Sequence, residues 1–195
     1  MNPRSLNARS STPRSSTPIS ESHFALFGLP ATFDLDEAAL EAAYRDFQSR
    51  VHPDRFAAAS DAEKRVALQW ATRANEAYRA LRSPLLRASY LCELNGAPLD
   101  TESNTAMESG FLAQQMEWRE SLDDARDDAA ALDALGASVL AALSRARQAA
   151  GVALAAGDFG AAARRVREWM FVERIADEIG NARERLDDAV RDRRA

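Results

Sequence analysis

The sequence predicts an all-α protein. Ala, Leu, Arg and Glu dominate it, all of them good helix formers, and no run alternates apolar and polar residues between turn signals as a strand does. Apolar residues instead recur at spacings of three and four along most of the chain after Phe24. With 195 residues, 46% of them hydrophobic, the chain is long enough for one domain or two small ones.

Composition disfavours several classes of function. The net charge of -5 argues against a general binder of nucleic acid or anionic membranes. The single cysteine, Cys92, cannot form an internal disulfide, and with only His23 and His52 beside it a Cys/His zinc site is excluded. No apolar run approaches the roughly 18 residues of a membrane span. We therefore expect a reducing, aqueous compartment, no metal, no cofactor, and Cys92 as an inert core residue.

The first 20 residues differ from the rest of the chain. Residues 1–20 hold six Ser, three Pro, three Arg and no acidic residue, a composition that predicts a disordered tail. An organellar transit peptide has a similar composition, but Leu6 is the only large aliphatic residue before Ile19, too few for an amphipathic helix. The remaining chain carries a charge of -8, which favours partners with basic faces.

The first long helix is predicted over 37–51. Asp36 can cap its N-terminus, and Pro53 ends it because the residue before a proline disfavours the helical conformation. A short apolar cluster ahead of it, closed by Pro30, predicts one or two helical turns that dock on a core.

The second long helix is predicted over 61–82. Ser60 and Glu63 have the spacing of a capping box at its start. The apolar faces of the two long helices suit an antiparallel hairpin. A short helix that ends at Gly96 then closes a domain of residues 21–96.

A linker over 97–105 is predicted to lead into an antiparallel three-helix bundle over 106–195. We place the break between its first two helices near 127–131, where the residues are polar but include neither Gly nor Pro, and the second break at Gly157. The three apolar stripes are Phe111, Trp118, Leu122, Ala125 and Ala129; Leu132, Leu135, Val139, Leu143 and Ala146; and Ala162, Val166, Trp169, Val172, Ala176, Ile179 and Leu186.

A short motif in the hairpin loop is the first pointer to function. His52-Pro53-Asp54 is weak evidence alone, but Tyr44 and Arg45 lie upstream of it. Arg50 also precedes it, and Asn75, Ala77-Tyr78, Leu81, Pro84, Arg87 and Tyr90 follow at the spacing found in J domains. Residues 22–92 therefore resemble a J domain.

The resemblance implies that this loop binds a DnaK-type chaperone and stimulates its ATP hydrolysis. The chaperone-binding residues it implies are His52, Pro53, Asp54, Tyr44, Arg45, Arg50 and Arg55. Such a role is chemically coherent, because His52 can donate and accept, Asp54 can accept a bidentate arginine, and Pro53 stiffens the loop.

Further segments resemble one J-protein family, HscB. They are Phe27-Gly28-Leu29-Pro30, His52-Pro53-Asp54-Arg55-Phe56, Arg87-Ala88-Ser89-Tyr90-Leu91 and Phe111-Leu112. The Gly/Phe-rich segment and CxxC repeats of a general DnaJ are absent, and so is the N-terminal CxxC pair of the mitochondrial HscB form. The resemblance implies an L-shaped co-chaperone of the bacterial type, whose bundle binds the iron-sulfur scaffold IscU and presents it to the chaperone HscA.

One column of residues on the first bundle helix fits such a role. Leu112, Met116, Glu120 and Asp124 recur every four residues, away from the apolar stripe of the same helix. An apolar head and an acidic tail suit a partner with an apolar patch beside basic residues, and the segment 107–128 carries a net charge of -5. The alternative is a core flank with a solvated acidic face.

By the HscB resemblance, the scaffold-binding residues are Leu112, Ala113, Met116, Glu117, Glu120, Asp124 and Phe171. Ala113 departs from the larger apolar residue expected there.

An enzymatic function fits the sequence less well. An acid/base pair of His52 and Asp54 has no nucleophile, glycine-rich phosphate loop or metal cluster to work with, so we expect no enzyme. The open alternatives are a J protein that serves a general DnaK chaperone with another client, and a helical scaffold protein without chaperone function. We expect a cytoplasmic protein, and its oligomeric state does not follow from the sequence.

Overall fold

The computed structural model describes residues 22–56, 58–99 and 109–192. These residues form seven α-helices and one 3-10 turn, with no strand among them, so the predicted all-α class is confirmed. The helices are α1 (His23–Phe27), α2 (Glu37–Val51), α3 (Asp61–Arg82), α4 (Pro84–Leu94), α5 (Ser109–Asp124), α6 (Ala129–Ala155) and α7 (Phe159–Asp192), and the turn Pro53–Phe56 lies between α2 and α3. The predicted tail, 1–20, lies outside the described residues.

Side-chain caps determine where the two hairpin helices begin. The Asp36 carboxylate accepts hydrogen bonds from the backbone N–H groups of Ala38 and Ala39 at the start of α2. Ser60 and Glu63 form the predicted capping box at the start of α3. The predicted bounds of both helices match the observed ones.

The four N-terminal helices enclose a hydrophobic core. Its buried members on these helices are Phe24, Phe27, Leu40, Ala74, Ala77, Leu81, Ala88, Leu91 and Cys92. Burial raises the pKa of the Cys92 thiol to about 11, so the thiol stays protonated at neutral pH. The prediction that Cys92 lies in the core is confirmed.

Arg87 is a buried cation at the centre of this unit. Its Nη1 donates to the Leu81 carbonyl oxygen at 2.6 Å, and its Nε donates to the Phe33 carbonyl oxygen at 2.9 Å. The last carbonyls of a helix have no partner within the helix, so Arg87 supplies a donor to the C-terminus of α3. The same guanidinium fixes the loop between α1 and α2.

Helices α6 and α7 form a long antiparallel hairpin, and α5 packs across it. The hairpin turns at Gly157, whose φ of 72° is left-handed, as a helix end requires. Trp118 of α5 packs against Val139 of α6 and Ile175 of α7. Ile175 is fully buried although it lies outside the predicted stripe, because the buried face of α7 is wider than one line of residues.

The predicted position of the α5–α6 break, 127–131, is corrected by the structure. Helix α5 ends at Asp124 and α6 begins at Ala129, so the break covers 125–128. Asp128 marks it as an N-cap whose Oδ1 accepts from the first backbone N–H groups of α6. A capping carboxylate, rather than Gly or Pro, therefore separates the two helices.

One continuous core joins the N-terminal unit (α1–α4) to the bundle (α5–α7). Helix α4 lies against α7 and α6, and the buried residues of the N-terminal unit share a cluster with Ala150, Leu154, Val166 and Trp169. The N-terminal unit thus packs near the α6–α7 turn, whereas the C-terminal end of α5 packs at the far end of the hairpin. Of the predicted linker, 97–105, the first residues also pack on this core, and 100–108 lie outside the described residues.

Helix α6 is long and apolar enough by composition to cross a membrane, the one such helix in the described part of the chain. The helix contains no uninterrupted apolar run of 18 residues, as predicted, but closely spaced alanines raise its mean hydropathy to 1.3. Its buried apolar residues, among them Leu132, Val139 and Leu154, pack along α7, whereas Leu140 and Val152 are exposed.

Replacing Arg87 with methionine should destabilise the fold strongly. Methionine preserves much of the apolar stem but leaves the Leu81 and Phe33 carbonyl oxygens without their donor. We expect the free energy of unfolding in urea to fall by about 2–4 kcal/mol. The matched control is Arg82→Met, an exposed arginine on α3, which should change stability by less than about 1 kcal/mol. Similar losses in the two variants would contradict this prediction.

His23 should make stability depend on pH. Its ring stacks on Tyr90 at 4.2 Å, and its Nδ1 is buried with no hydrogen-bond partner among the described residues. Burial, aided by Arg73, lowers the pKa of His23 in the folded chain. When the pH falls below the ordinary pKa of histidine, the unfolded chain therefore binds a proton more readily than the folded chain does. The stability that His23 contributes is fully present above about pH 6.5 and is lost as the pH falls below that value.

The test of this pH dependence is the variant His23→Phe, which keeps an aromatic ring for the stack. Urea unfolding of both proteins between pH 7.5 and pH 5.5 should show that the wild type loses more stability than the variant as the pH falls. Parallel curves for the two proteins would refute the assignment.

Candidate functional site

The loop between α2 and α3 carries the His52-Pro53-Asp54 motif, and the side chains of His52 and Asp54 are exposed to solvent. Helix α2 stops at His52, whose ψ of 132° is extended, as expected for a residue before proline. The Asp54 side chain is 89% exposed, and its Oδ2 lies 3.5 Å from His52 Nδ1. The backbone N–H of Asp54 donates to the same Nδ1 at 3.4 Å.

The two arginines of α2 among the predicted chaperone-binding residues are exposed, but both are paired. Arg45 lies 3.5 Å from Glu41 and Arg50 lies 3.2 Å from Asp46, both as exposed pairs one helical turn apart. Such pairs contribute about 0.3–0.5 kcal/mol each, so an acidic partner can replace them at small cost.

Arg55 folds back from the loop onto α2. Its Nη1 donates to the Ser49 carbonyl oxygen at 3.2 Å, so it stabilises the end of the helix while remaining exposed. Of the predicted chaperone-binding residues, the structure therefore exposes His52, Asp54 and Arg55 on the loop, together with the two arginines of α2.

Tyr44 lies apart from these residues, half-buried between α2 and α3. Its ring stacks on Tyr78 at 4.1 Å, and its hydroxyl donates to Asn75 Oδ1 at 2.8 Å. Gln48 donates to the same Asn75 oxygen at 2.9 Å. Tyr44 thus holds the two helices together and positions the loop, a role that its place in the motif did not reveal.

An aromatic cluster beside the loop was not predicted as part of the site. The rings of Phe47 and Trp70 lie 6.0 Å apart, and the Arg50 guanidinium lies 5.3 Å from the Phe47 ring centroid. Both aromatic residues belong to the apolar faces of the two helices, and the helical spacing was the only signal available. The cluster braces the loop end of the hairpin.

The column predicted on α5 lies on the solvent side of that helix. We call Leu112, Met116, Glu120 and Asp124, with Ala113 and Glu117 alongside, the α5 ridge. Met116 is 64% exposed, the acidic members and Ala113 are exposed, and Leu112 is half-buried. Trp118 on the same helix is buried, so the ridge and the core face are separate.

Phe171, the predicted complement of the α5 ridge, is fixed in the bundle. Its ring meets that of Phe111 edge-on, with centroids 5.7 Å apart, and the Arg119 guanidinium lies 5.8 Å from its centroid. The side chain is half-buried and packs against the core beneath α5. Only part of the ring is available to a partner.

The acidic side chains of the ridge are held lightly. Glu117 accepts a hydrogen bond from Gln114 at 2.7 Å, an exposed contact within one turn of α5. Neighbouring Asp123 pairs with Arg126 at 2.6 Å, also on the surface. The ridge therefore offers an apolar patch of Leu112 and Met116 that continues into exposed carboxylates.

Comparison with known proteins identifies the family. Residues 107–180 match the family model of the HscB C-terminal oligomerisation domain. The co-chaperone HscB homologue of Bordetella petrii is 57% identical over 165 residues, covering 84% of this chain and 97% of its own length. That of Burkholderia multivorans is 57% identical over 171 residues, covering 87% and 98%.

Solved structures agree with these relatives. Chaperone HscB from Vibrio cholerae superimposes with a TM-score of 0.76 at 35% identity, covering 85% of this chain and 99% of its own. Human co-chaperone HscB gives a TM-score of 0.80 at 26% identity, covering 92% and 93%. The J-domain resemblance and the similarity to HscB are thereby supported over both parts of the chain. The chain belongs to the HscB family, the J-domain co-chaperones of iron-sulfur cluster biogenesis.

Proposed function

We propose that this protein binds an IscU-type scaffold through the α5 ridge, delivers it to an HscA-type chaperone and stimulates the ATPase of that chaperone through the His52-Pro53-Asp54 loop, in the cytoplasm. The observation that carries the proposal is the ridge, because a methionine that is 64% exposed beside a column of carboxylates contributes little to the fold. Large exposed apolar side chains rimmed by charge are typical of an interface.

On the chaperone side, the argument rests on Asp54. Its carboxylate is exposed at the tip of the loop, where an arginine of the partner can donate two parallel hydrogen bonds to it. Arg45 and Arg50 can exchange their weak pairs with Glu41 and Asp46 for acidic groups of the chaperone. The Tyr44–Asn75 hydrogen bond keeps the loop in place during this exchange.

On the client side, the two parts of the ridge have different roles. Leu112 and Met116 can lose contact with water when an apolar patch of the scaffold covers them, which supplies affinity. The carboxylates, within a segment 107–128 of net charge -5, attract a basic partner and increase the association rate more than the affinity. A J protein that serves a general DnaK-type chaperone is the alternative to this assignment.

Asp54→Asn should abolish most of the stimulation. Asparagine has nearly the same shape but lacks the charge that strengthens the bond to an arginine, a loss of about 1.5–3 kcal/mol or roughly 10- to 100-fold. The measurement is the steady-state ATPase rate of a purified HscA-type chaperone with scaffold. The control is Asp61→Asn, another highly exposed aspartate, which should leave the rate unchanged.

Full stimulation by Asp54→Asn would contradict the chaperone assignment. Equal stimulation of a general DnaK-type chaperone by the wild type, with no effect of scaffold, would favour the alternative partner.

The double variant Leu112→Ala/Met116→Ala should weaken scaffold binding by about 10- to 100-fold while the fold is retained. Isothermal titration calorimetry with an IscU-type scaffold measures this directly, and the scaffold concentration for half-maximal ATPase stimulation should rise in parallel. Leu140→Ala is the matched control, since Leu140 is 60% exposed on α6, and it should bind as the wild type does. Unchanged affinity in the double variant would remove the ridge from the interface.

A further inference from the structure

The ring of Phe33 connects the N-terminal unit to the bundle in addition to the contacts of α4. Phe33, in the loop between α1 and α2, lies edge-on to Trp169 of α7, with ring centroids 6.3 Å apart and planes at 89°. The same ring lies directly against Gly151 of α6, where an added Cβ would come within 3.0 Å of Phe33 Cε1 and 3.2 Å of Cδ1. Even a methyl group at Gly151 would therefore be tighter than an ordinary contact, and the ring would have to shift by a few tenths of an ångström.

The backbone gives no other reason for a glycine at this position. Gly151 lies inside α6, and the positive φ values in the described residues belong to Gly28, Gly96 and Gly157. A glycine in a helix interior costs about 1 kcal/mol relative to alanine. Among the glycines of the described residues, Gly151 is the one where an added Cβ would come closer than an ordinary contact to another side chain, that of Phe33.

The position of the ring is fixed from the other side by Arg87. Its Nε donates to the Phe33 carbonyl oxygen at 2.9 Å, and its guanidinium lies 5.6 Å from the centroid of the Phe33 ring. Arg87 is itself held by the Leu81 carbonyl oxygen at the end of α3. A chain of contacts thus runs from α3 through Arg87 and Phe33 to Gly151 and Trp169.

We infer that Phe33 and Gly151, with Arg87 behind them, are positioning residues that fix the orientation of the His52-Pro53-Asp54 loop relative to the α5 ridge, and that stimulation of the chaperone by bound scaffold depends on this orientation. The coupling part of the inference rests on the proposed function. Orientation is distinct from proximity. A flexible linker between the N-terminal unit and the bundle would keep the client close to the loop without fixing the orientation of one relative to the other.

The first experiment measures the orientation itself. Spin labels at Leu68→Cys on α3 and Leu140→Cys on α6, both exposed positions, report the distribution of distances between the two units. Cys92 does not interfere, since it is fully buried and its thiol has a raised pKa. The wild type should give one narrow distribution, and Gly151→Leu should broaden or shift it, because the leucine occupies the space of the Phe33 ring.

Two further variants control this measurement. Gly180→Leu introduces the same side chain into α7 at a site with no neighbouring atom within 4 Å of an added Cβ, and it should preserve the narrow distribution. Phe33→Ala combined with Gly151→Leu moves the bulky group from the loop to the helix and should restore much of the wild-type distribution. A narrow, unshifted distribution in Gly151→Leu would overturn the inference.

The second experiment measures coupling in the same variants. Gly151→Leu should bind the scaffold as tightly as the wild type does and should stimulate an HscA-type ATPase to the same extent in the absence of scaffold. The additional stimulation that scaffold causes should fall about tenfold. The double variant should recover it. If Gly151→Leu instead lowered all three quantities together, Gly151 would have a merely structural role, and the positioning role would be refuted.

The outcomes separate this inference from the function on which it rests. A broadened distance distribution with full scaffold-dependent stimulation would overturn the coupling. If scaffold caused no additional ATPase stimulation with the wild-type protein, the proposed client would be overturned. The distance measurement would still decide whether Phe33 and Gly151 fix the orientation of the two units.

Discussion

The buried guanidinium of Arg87 is the interaction on which most of the architecture depends. A charge removed from water requires good partners, and Arg87 has two carbonyl oxygens and the face of an aromatic ring. These partners belong to the end of α3 and to the α1–α2 loop, two segments that are distant in the sequence. The arginine therefore brings together the hairpin that carries the loop motif and the loop that reaches the bundle.

The two surfaces proposed to bind partners, by contrast, contribute little to stability. Asp54 and Met116 are largely exposed, and the arginines of α2 are held by surface pairs. Their positions are maintained by less exposed neighbours: Tyr44 and Asn75 behind the loop, and Trp118 behind the ridge. The proposed binding residues and the residues that stabilise the fold are thus different side chains of the same helices, so either surface can change without loss of the fold.

Local signals explain why part of this structure was predictable. The ends of α2 and α3 follow from caps and a proline within three residues, and the loop motif lies in a contiguous segment. The α5 ridge was also found, because a four-residue period on a helix separates it from the core stripe. The α5–α6 break was misplaced because an aspartate in an acidic run gives no sign of whether it is capping or solvated. Ile175 was missed because the width of a buried face depends on what packs against it.

The contact of Phe33 with Gly151 could not be predicted, since the two residues lie far apart in the sequence. A glycine inside an alanine-rich helix was the one available signal, and Gly136 gives the same signal in the same helix without so close a neighbour.

The contact between Phe33 and Gly151 has an entropic consequence. Two domains joined only by a flexible chain lose orientational freedom each time both are engaged, and that loss reduces the binding free energy available to the complex. A shared core and a fixed aromatic contact remove this freedom during folding instead. If the proposed client binds the α5 ridge, it reaches the chaperone already oriented, at the cost of accepting only clients whose shape suits that single geometry.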